Sequence, residues 1–141
     1  MIKILIAITS LIFIFIGMLH FFWAFGGSWG VNSALPTRDD SKLPVLQPRM
    51  LGTLFIGFLC FFASVLLLVQ IDWFIAIKSS PLTKWLCIAG GLVFLLRGIG
   101  EGKYIGFFKK IKHTRFAKRD TAFYSPLCVW ISLIFLLASF I

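Results

Sequence analysis

The chain has 141 residues, of which 60% are hydrophobic and only 13% are charged, with fourteen Lys and Arg against five Asp and Glu. Soluble domains average about a quarter charged residues, and a domain of this size buries only about two-thirds of its surface. So large an apolar surface needs lipid as its solvent. This excludes a soluble enzyme, a secreted disulfide scaffold and a disordered tail.

Four apolar segments of helical length predict an all-α integral membrane four-helix bundle, which forms one domain over residues 1–141. The predicted spans cover residues 4–25, 50–71, 82–102 and 121–141, with a long loop at 26–49 and a basic amphipathic segment at 103–120. The third apolar run reaches Arg97 before a full crossing, so we expect its helix to continue through residues 98–106.

The basic residues lie between the apolar runs, which indicates topology signals and contact with anionic headgroups rather than nucleic acid. Ten of them fall in the two long loops, against Lys3, Lys78 and Lys84 on the opposite side. The positive-inside rule then predicts a multi-pass protein with cytoplasmic long loops and both termini outside. The ten are Arg38, Lys42, Arg49, Lys103, Lys109, Lys110, Lys112, Arg115, Lys118 and Arg119.

Small residues recur at steps of three and four along three of the spans, a spacing that lets helices pack closely in lipid. The three stripes are Thr53, Gly57, Cys60 and Ser64; Gly98, Gly102 and Gly106; and Ser125, Cys128, Ser132 and Ser139. The three cysteines lie far apart in apolar runs without a C-x-x-C motif. We therefore expect neither a metal site nor a cofactor.

Ionisable residues within spans are costly and are candidates for function. At about 1.5 Å per residue, His20 lies about 9 Å and Arg97 about 8 Å inside the cytoplasmic boundary. Glu101 follows Arg97 by one helical turn and is expected to pair with it, and Tyr124 begins span four at a similar depth. In the competing interpretation, Arg97 snorkels to the interface and a backbone carbonyl satisfies His20.

Two further segments admit two interpretations each. Residues 103–112 form an amphipathic helical pattern with Tyr104 on its apolar face, which predicts binding to anionic lipid, although the charges could serve topology alone. The 26–49 loop is long enough for a lid, while its Trp29 and the preceding Trp23 could equally be interfacial anchors.

Several motifs in the chain resemble those of a family of small bacterial four-span membrane proteins that is catalogued as a domain of unknown function. They are His20-x-x-Trp23-Ala24-x-Gly26-Gly27-x-Trp29-Gly30, Arg97-Gly-Ile-Gly-Glu101, Thr114-Arg-Phe-Ala, Asp120-Thr121 and Tyr124-Ser-Pro-Leu-Cys128. Glu101 stands where the resemblance leads us to expect Asp. The resemblance implies the four-span architecture and a location in the bacterial cytoplasmic membrane, and it supplies no activity.

The leading hypothesis is a binding module whose cytoplasmic-side intramembrane pocket holds an amphiphile with an anionic head. Its predicted ligand-binding residues are His20, Trp23, Trp29, Arg97, Glu101, Tyr104 and Tyr124. One alternative is a membrane-embedded enzyme that acts on a lipid-soluble substrate, in which His20 or Glu101 moves a proton; its catalytic residues are not assigned. Another is an accessory subunit of a larger membrane complex. The expected partners are membrane lipids, with anionic headgroups at residues 103–119. For protein partners, two alternatives stay open: a homo-oligomer or a partner membrane subunit.

Overall fold

Among the residues that the structure describes, four helical segments are long and apolar enough to cross a membrane. The computed structural model describes residues 1–36 and 49–141, and every regular element within them is helical. The elements are α1 (Ile2–Ala24), α2 (Val31–Ala34), α3 (Met50–Gln70), α4 (Pro81–Ile99), α5 (Arg115–Arg119), a π-helical turn (Asp120–Tyr124) and α6 (Ser125–Ala138). The last three elements make one continuous span, Arg115–Ala138. The predicted all-α, four-span architecture is confirmed.

The bundle consists of two closely packed helix pairs, α1 with α3 and α4 with α6. In the first pair, a Cβ placed on Gly17 would lie 3.2 Å from the carbonyl oxygen of Gly57. In the second pair, a Cβ on Gly91 would lie 3.3 Å from the carbonyl oxygen of Ser132. Small residues therefore let the backbones of each pair approach, as expected for helices in lipid.

Aromatic side chains and one hydrogen bond join the two pairs. The ring of Phe13 from α1 meets Phe94 of α4 and Phe135 of α6 edge-on, with centroids 5.4 and 5.8 Å apart. The indole N–H of Trp130 donates to the hydroxyl of Thr9 across 3.2 Å. Interhelical hydrogen bonds of this kind add to packing in a membrane interior.

The third span is shorter than the sequence predicted. Helix α4 ends at Ile99, and Gly100, Gly102 and Gly106 adopt positive φ angles of 89°, 83° and 84°. That left-handed region favours glycine and ends a right-handed helix. Residues 98–106 therefore do not form a helical glycine stripe; of its three glycines, Gly98 alone lies in α4, where it packs on α6.

The predicted amphipathic helix over residues 103–112 is also wrong. These residues form bends and turns, and of the 103–120 segment only Arg115–Arg119 is α-helical. The chain folds back on itself instead, because the N–H of Lys110 donates to the carbonyl of Gly102 and the N–H of Ile111 to that of Lys103. We call residues 100–114 the re-entrant loop.

The two ends of the bundle carry different connections. The basic end carries residues 25–36 and the re-entrant loop, and the hairpin end carries residues 71–80 between α3 and α4. The predicted lid falls on the long loop at 26–49, of which residues 37–48 lie outside the described residues.

Candidate functional site

A single buried carboxylate organises the basic end. Asp120 lies in the π-helical turn, and its side chain is fully buried. Its Oδ1 accepts from Nη2 of Arg97 at 2.9 Å. Its Oδ2 accepts from Nζ of Lys109 at 2.9 Å, the N–H of Gly106 at 2.8 Å and the hydroxyl of Ser125 at 3.2 Å. Asp120 thus ties the last turn of α4, the re-entrant loop and the start of α6 together.

Lys109 brings a second charge into the interior of this end. Its side chain is fully buried, and Nζ also donates to the carbonyl of Gly106 at 2.9 Å and to the hydroxyl of Thr121 at 2.6 Å. An ammonium group has three protons to donate, and Nζ has three acceptors. Because a buried charge is tolerated only when paired and hydrogen-bonded, this satisfied set explains why Lys109 points inward.

Arg97 is the incompletely satisfied member of the network. Its side chain is 29% exposed, and Nη2 is bonded to Asp120. Its Nη1 is buried and has no hydrogen-bond partner, the only such atom among the side chains that the structure describes. An orphaned buried donor costs about 1–3 kcal/mol. With two cations on one carboxylate, the network of Arg97, Lys109 and Asp120 has a formal excess of one positive charge and one spare donor group.

The local sequence explains how Asp120 reaches this position. Thr114 caps α5 through its hydroxyl, which accepts from the N–H of Ala117 at 3.1 Å. Pro126 lies in the first turn of α6 and has no N–H to give to the preceding turn. The π-helical turn lies just before this proline, and it widens the backbone where Asp120 enters the interior.

The predicted residues of the first span form a cluster of their own. Nδ1 of His20 lies 2.8 Å from the carbonyl oxygen of Ile16, one turn earlier in α1, and its ring meets the Trp23 ring edge-on at 5.2 Å. The indole N–H of Trp23 donates to the Trp29 carbonyl at 2.7 Å, while the Trp29 side chain is largely exposed. The competing interpretation, a His20 satisfied by a backbone carbonyl, is the arrangement observed.

The predicted pairing of Glu101 with Arg97 is wrong. The carboxylate of the exposed Glu101 accepts from the N–H of Tyr104 at 3.1 Å, and the carboxylate on Arg97 belongs to Asp120. The Tyr104 ring has Nζ of Lys103 5.1 Å from its centroid. The pairing failed because one-turn spacing brings side chains together only within a helix, and α4 ends before Glu101.

Tyr124 makes its own contacts at the basic end. Its hydroxyl donates to the carbonyl of Ser33 near α2 at 3.3 Å, and its ring lies 6.0 Å from that of Phe116. The seven predicted residues therefore fall into separate groups, and no hydrogen bond, ion pair or ring contact of the described residues joins His20 to Arg97 or Tyr124.

Two surface hollows of the described residues lie elsewhere. One is at the basic end, and the other is at the hairpin end; neither is lined by His20, Arg97 or Tyr124. An enclosed intramembrane pocket among those three residues stays a prediction. The first hollow is lined by Glu101, Gly102, Lys103, Lys110 and Ile111, and the second by Gln70, Ser79, Ser80, Pro81, Lys84, Trp85, Ser139, Phe140 and Ile141.

Sequence reasoning missed Asp120 and Lys109 as functional candidates. In the sequence, Lys109 stands among the other loop lysines, and Asp120 lies one residue outside the predicted span four. One signal was present: Asp120 is the only acidic residue between Lys103 and the end of the chain, next to the start of an apolar run. A carboxylate at that position is a natural partner for an arginine inside a neighbouring span.

These features define a multi-pass integral membrane protein with a buried ion network at one end. Residues 13–135 match the family model DUF3995, described as "Protein of unknown function". The chain belongs to this family, so the family resemblance seen in the sequence is confirmed. No curated protein and no solved structure matches the chain.

Proposed function

We propose that this protein is a four-span protein of the bacterial cytoplasmic membrane that binds amphiphiles through their anionic head groups at the basic end. The observation that carries the proposal is the charge of the exposed surface there. Six cationic side chains of residues 100–119 are exposed, against the single exposed carboxylate of Glu101. The six are Lys103, Lys110, Lys112, Arg115, Lys118 and Arg119.

The hollow at the basic end is the proposed contact surface for the head group. Lys103 and Lys110 both line it, and a basic residue near a membrane surface attracts anionic lipid by about 1 kcal/mol. Arg97 supports the proposal, because its side chain is 29% exposed at the same end and carries a spare donor group, the unpartnered Nη1, and a guanidinium is a strong donor to phosphate oxygens. The proposed site therefore lies at the interface, rather than in the pocket that the sequence predicted.

The proposed orientation has the basic end in the cytoplasm and both termini outside, from the charge asymmetry of the loops. Cysteines at Lys118 and Ser79, both exposed residues at opposite ends, test it. In intact cells, a membrane-impermeant maleimide should label the cysteine at 79 and leave that at 118 unlabelled until the membrane is opened. The reverse pattern overturns the orientation.

Native mass spectrometry of the protein in mild detergent tests head-group binding directly. With equal phosphatidylglycerol and phosphatidylcholine, we expect adducts to favour the anionic lipid several-fold. Lys110→Gln with Lys112→Gln should reduce that preference, whereas the matched pair Lys78→Gln with Lys84→Gln at the hairpin end should preserve it. All four lysines are exposed, so folding should survive. Equal losses in both pairs would mean non-specific charge attraction and would overturn the proposal.

Glu101→Gln sharpens the same test, because Glu101 is the one acidic residue in the hollow. Its amide oxygen can still accept the Tyr104 N–H, while the negative charge is removed. Preference for phosphatidylglycerol should then increase. An unchanged or weaker preference would show that the head group does not contact this hollow.

A further inference from the structure

The re-entrant loop places two exposed phenylalanines beside the last turn of a membrane span. The N–H of Phe107 donates to the carbonyl of Gly98 at 3.0 Å, and the N–H of Phe108 points to that of Ile99 at 3.4 Å. Both acceptors belong to the end of α4. The chain leaves the span at Gly100 and returns to the same depth seven residues later.

In a surface loop in water, lysines are exposed and phenylalanines are buried. Along residues 107–109 the arrangement is the reverse. Phe107 is 42% and Phe108 73% exposed, whereas the adjoining Lys109 is 1% exposed. The burial of Lys109 follows from its bond to Asp120. That bond leaves the two rings turned away from the protein, where water would penalise them and lipid would not.

We infer that the re-entrant loop is a membrane-inserted anchor, with Phe107 and Phe108 in the acyl-chain boundary beside α4. The occupant of this apolar surface is the lipid bilayer. The backbone of both phenylalanines bonds to the last turn of α4, where Ile99 is itself 42% and Leu96 67% exposed. A surface continuous with the lipid-facing side of a span, at the depth of its last turn, lies in lipid.

The loop has the remaining features of an interfacial anchor. Lys103, Lys110 and Lys112 are exposed on either side of the two phenylalanines in the sequence, and long lysine side chains can reach the head groups while their stems stay in apolar surroundings. Close packing of two glycines also constrains the shape of the loop. Gly100 and Gly106 are packed so closely that a Cβ on Gly100 would overlap the carbonyl oxygen of Ile105.

A depth measurement tests the anchor. Phe108→Cys is made in a background with Cys60, Cys87 and Cys128 replaced by alanine, labelled with a fluorophore and placed in phosphatidylcholine vesicles. Ser79→Cys serves as the aqueous control and Leu96→Cys as the lipid control. We expect spin-labelled phospholipids to quench the label at 108 as strongly as that at 96. Iodide, supplied on both sides of the vesicle membrane because residues 79 and 108 lie at opposite ends of the bundle, should quench the label at 108 at least threefold less than that at 79.

Iodide quenching at 108 equal to that at 79 would overturn the anchor. If the alanine background does not fold, the same comparison is made in the native chain, with the unsubstituted protein as the blank. The anchor does not depend on anionic lipid, so it should be present in purely zwitterionic vesicles. If the label at 108 lies in lipid but the preference for anionic lipid is absent, the proposed function fails and the anchor stands. If the preference is present but the label at 108 is in water, the anchor fails and the proposed function stands.

Discussion

The two ends of the bundle are held together by different kinds of contact. At the hairpin end, Ser80 caps α4 by accepting from the N–H of Thr83 at 3.3 Å, and the Thr83 hydroxyl accepts from the N–H of Ser80 at 2.9 Å. That hydroxyl also donates to Oε1 of Gln70 at 2.7 Å. None of these contacts involves a formal charge, and all of them except the bond to Gln70 join neighbours in the sequence.

At the basic end, the decisive contacts join residues that are far apart in the sequence. Asp120 bonds Lys109, 11 residues away, and Arg97, 23 residues away. A buried ion network of this kind is costly to assemble and more costly to break, because removing one partner leaves the others charged and unpaired. The basic end should therefore be far more sensitive to single substitutions than the hairpin end.

The largest effect is expected for Asp120→Ala. It would leave the fully buried Lys109 without its counter-ion, and breaking a buried pair costs about 3–5 kcal/mol. Thermal unfolding in detergent should show a strongly lowered Tm or no folded protein. Glu101→Ala is the matched control, because the exposed Glu101 accepts only a backbone N–H, and its effect should be below about 1 kcal/mol. Equal effects of the two changes would contradict the assignment of Asp120 as the buried counter-ion of Lys109 and Arg97.

Glycine substitutions in the re-entrant loop should have the next largest effects, and they should differ. Gly106→Ala combines a positive φ with an overlap of the new Cβ on the backbone of Ile99 and Gly100. Gly102→Ala meets the same strain, about 1–2 kcal/mol, but no atom lies within 4 Å of its Cβ. Gly106→Ala should lower Tm clearly more. A larger loss at Gly102 would favour the helical stripe predicted from the sequence.

The four spans were predictable because each depends on a single property, a run of apolar residues long enough to cross the bilayer. The small residues of spans two and four were predictable for a similar reason, since a spacing of three and four residues places them on one face. Gly57, Cys60, Ser64 and Ser132 are indeed buried. Both inferences use only residues within one helix.

The ion network could not be predicted from the spacing of residues within one helix. Helical spacing favours Glu101 as the partner of Arg97. That spacing brings side chains together only within a helix, and α4 ends at Ile99, before Glu101. Nothing in the period of the apolar residues shows that the chain then turns back to deliver Lys109 to Asp120. The missing information is the left-handed backbone of Gly100 and Gly106, which a glycine permits but does not require.

Ser80→Ala should have a smaller effect than the changes at the basic end. It removes the oxygen that accepts the Thr83 N–H, and loss of such a cap costs about 1 kcal/mol. Tm should fall modestly. As a comparison, the neighbouring Ser79→Ala keeps the backbone N–H that bonds Asp72 and removes only a hydroxyl, which makes the smaller of the two Ser79 hydrogen-bond contributions to that carboxylate, so it should lower Tm less than Ser80→Ala. A fall as large as that of Asp120→Ala would remove the contrast between the ends.

The smallest expected effect is a pH dependence confined to the hairpin end. The backbone N–H of Ser79 donates to Oδ1 of Asp72 at 2.8 Å. This bond is the main cause that lowers the pKa of Asp72 below its ordinary value, and nearby Lys78 adds to the lowering. A carboxyl group whose pKa is lower in the folded protein stabilises the fold when it is ionised. Its contribution is therefore complete above the ordinary pKa of about 4, and it is lost as the pH falls through the lowered value.

Asp72→Asn isolates this contribution. Asparagine keeps an oxygen for the Ser79 N–H and tolerates the positive φ of 52° at this position, so only the titration is removed. The stability of the native protein should decline slightly more between pH 5 and pH 3 than that of Asp72→Asn, with the two nearly equal at pH 7. NMR titration of the Asp72 carboxyl gives the shift directly. A pKa at or above the ordinary value would mean that the Ser79 hydrogen bond does not persist in solution, and that the hairpin end is held by the Ser80 cap and the Thr83–Gln70 bond without Asp72.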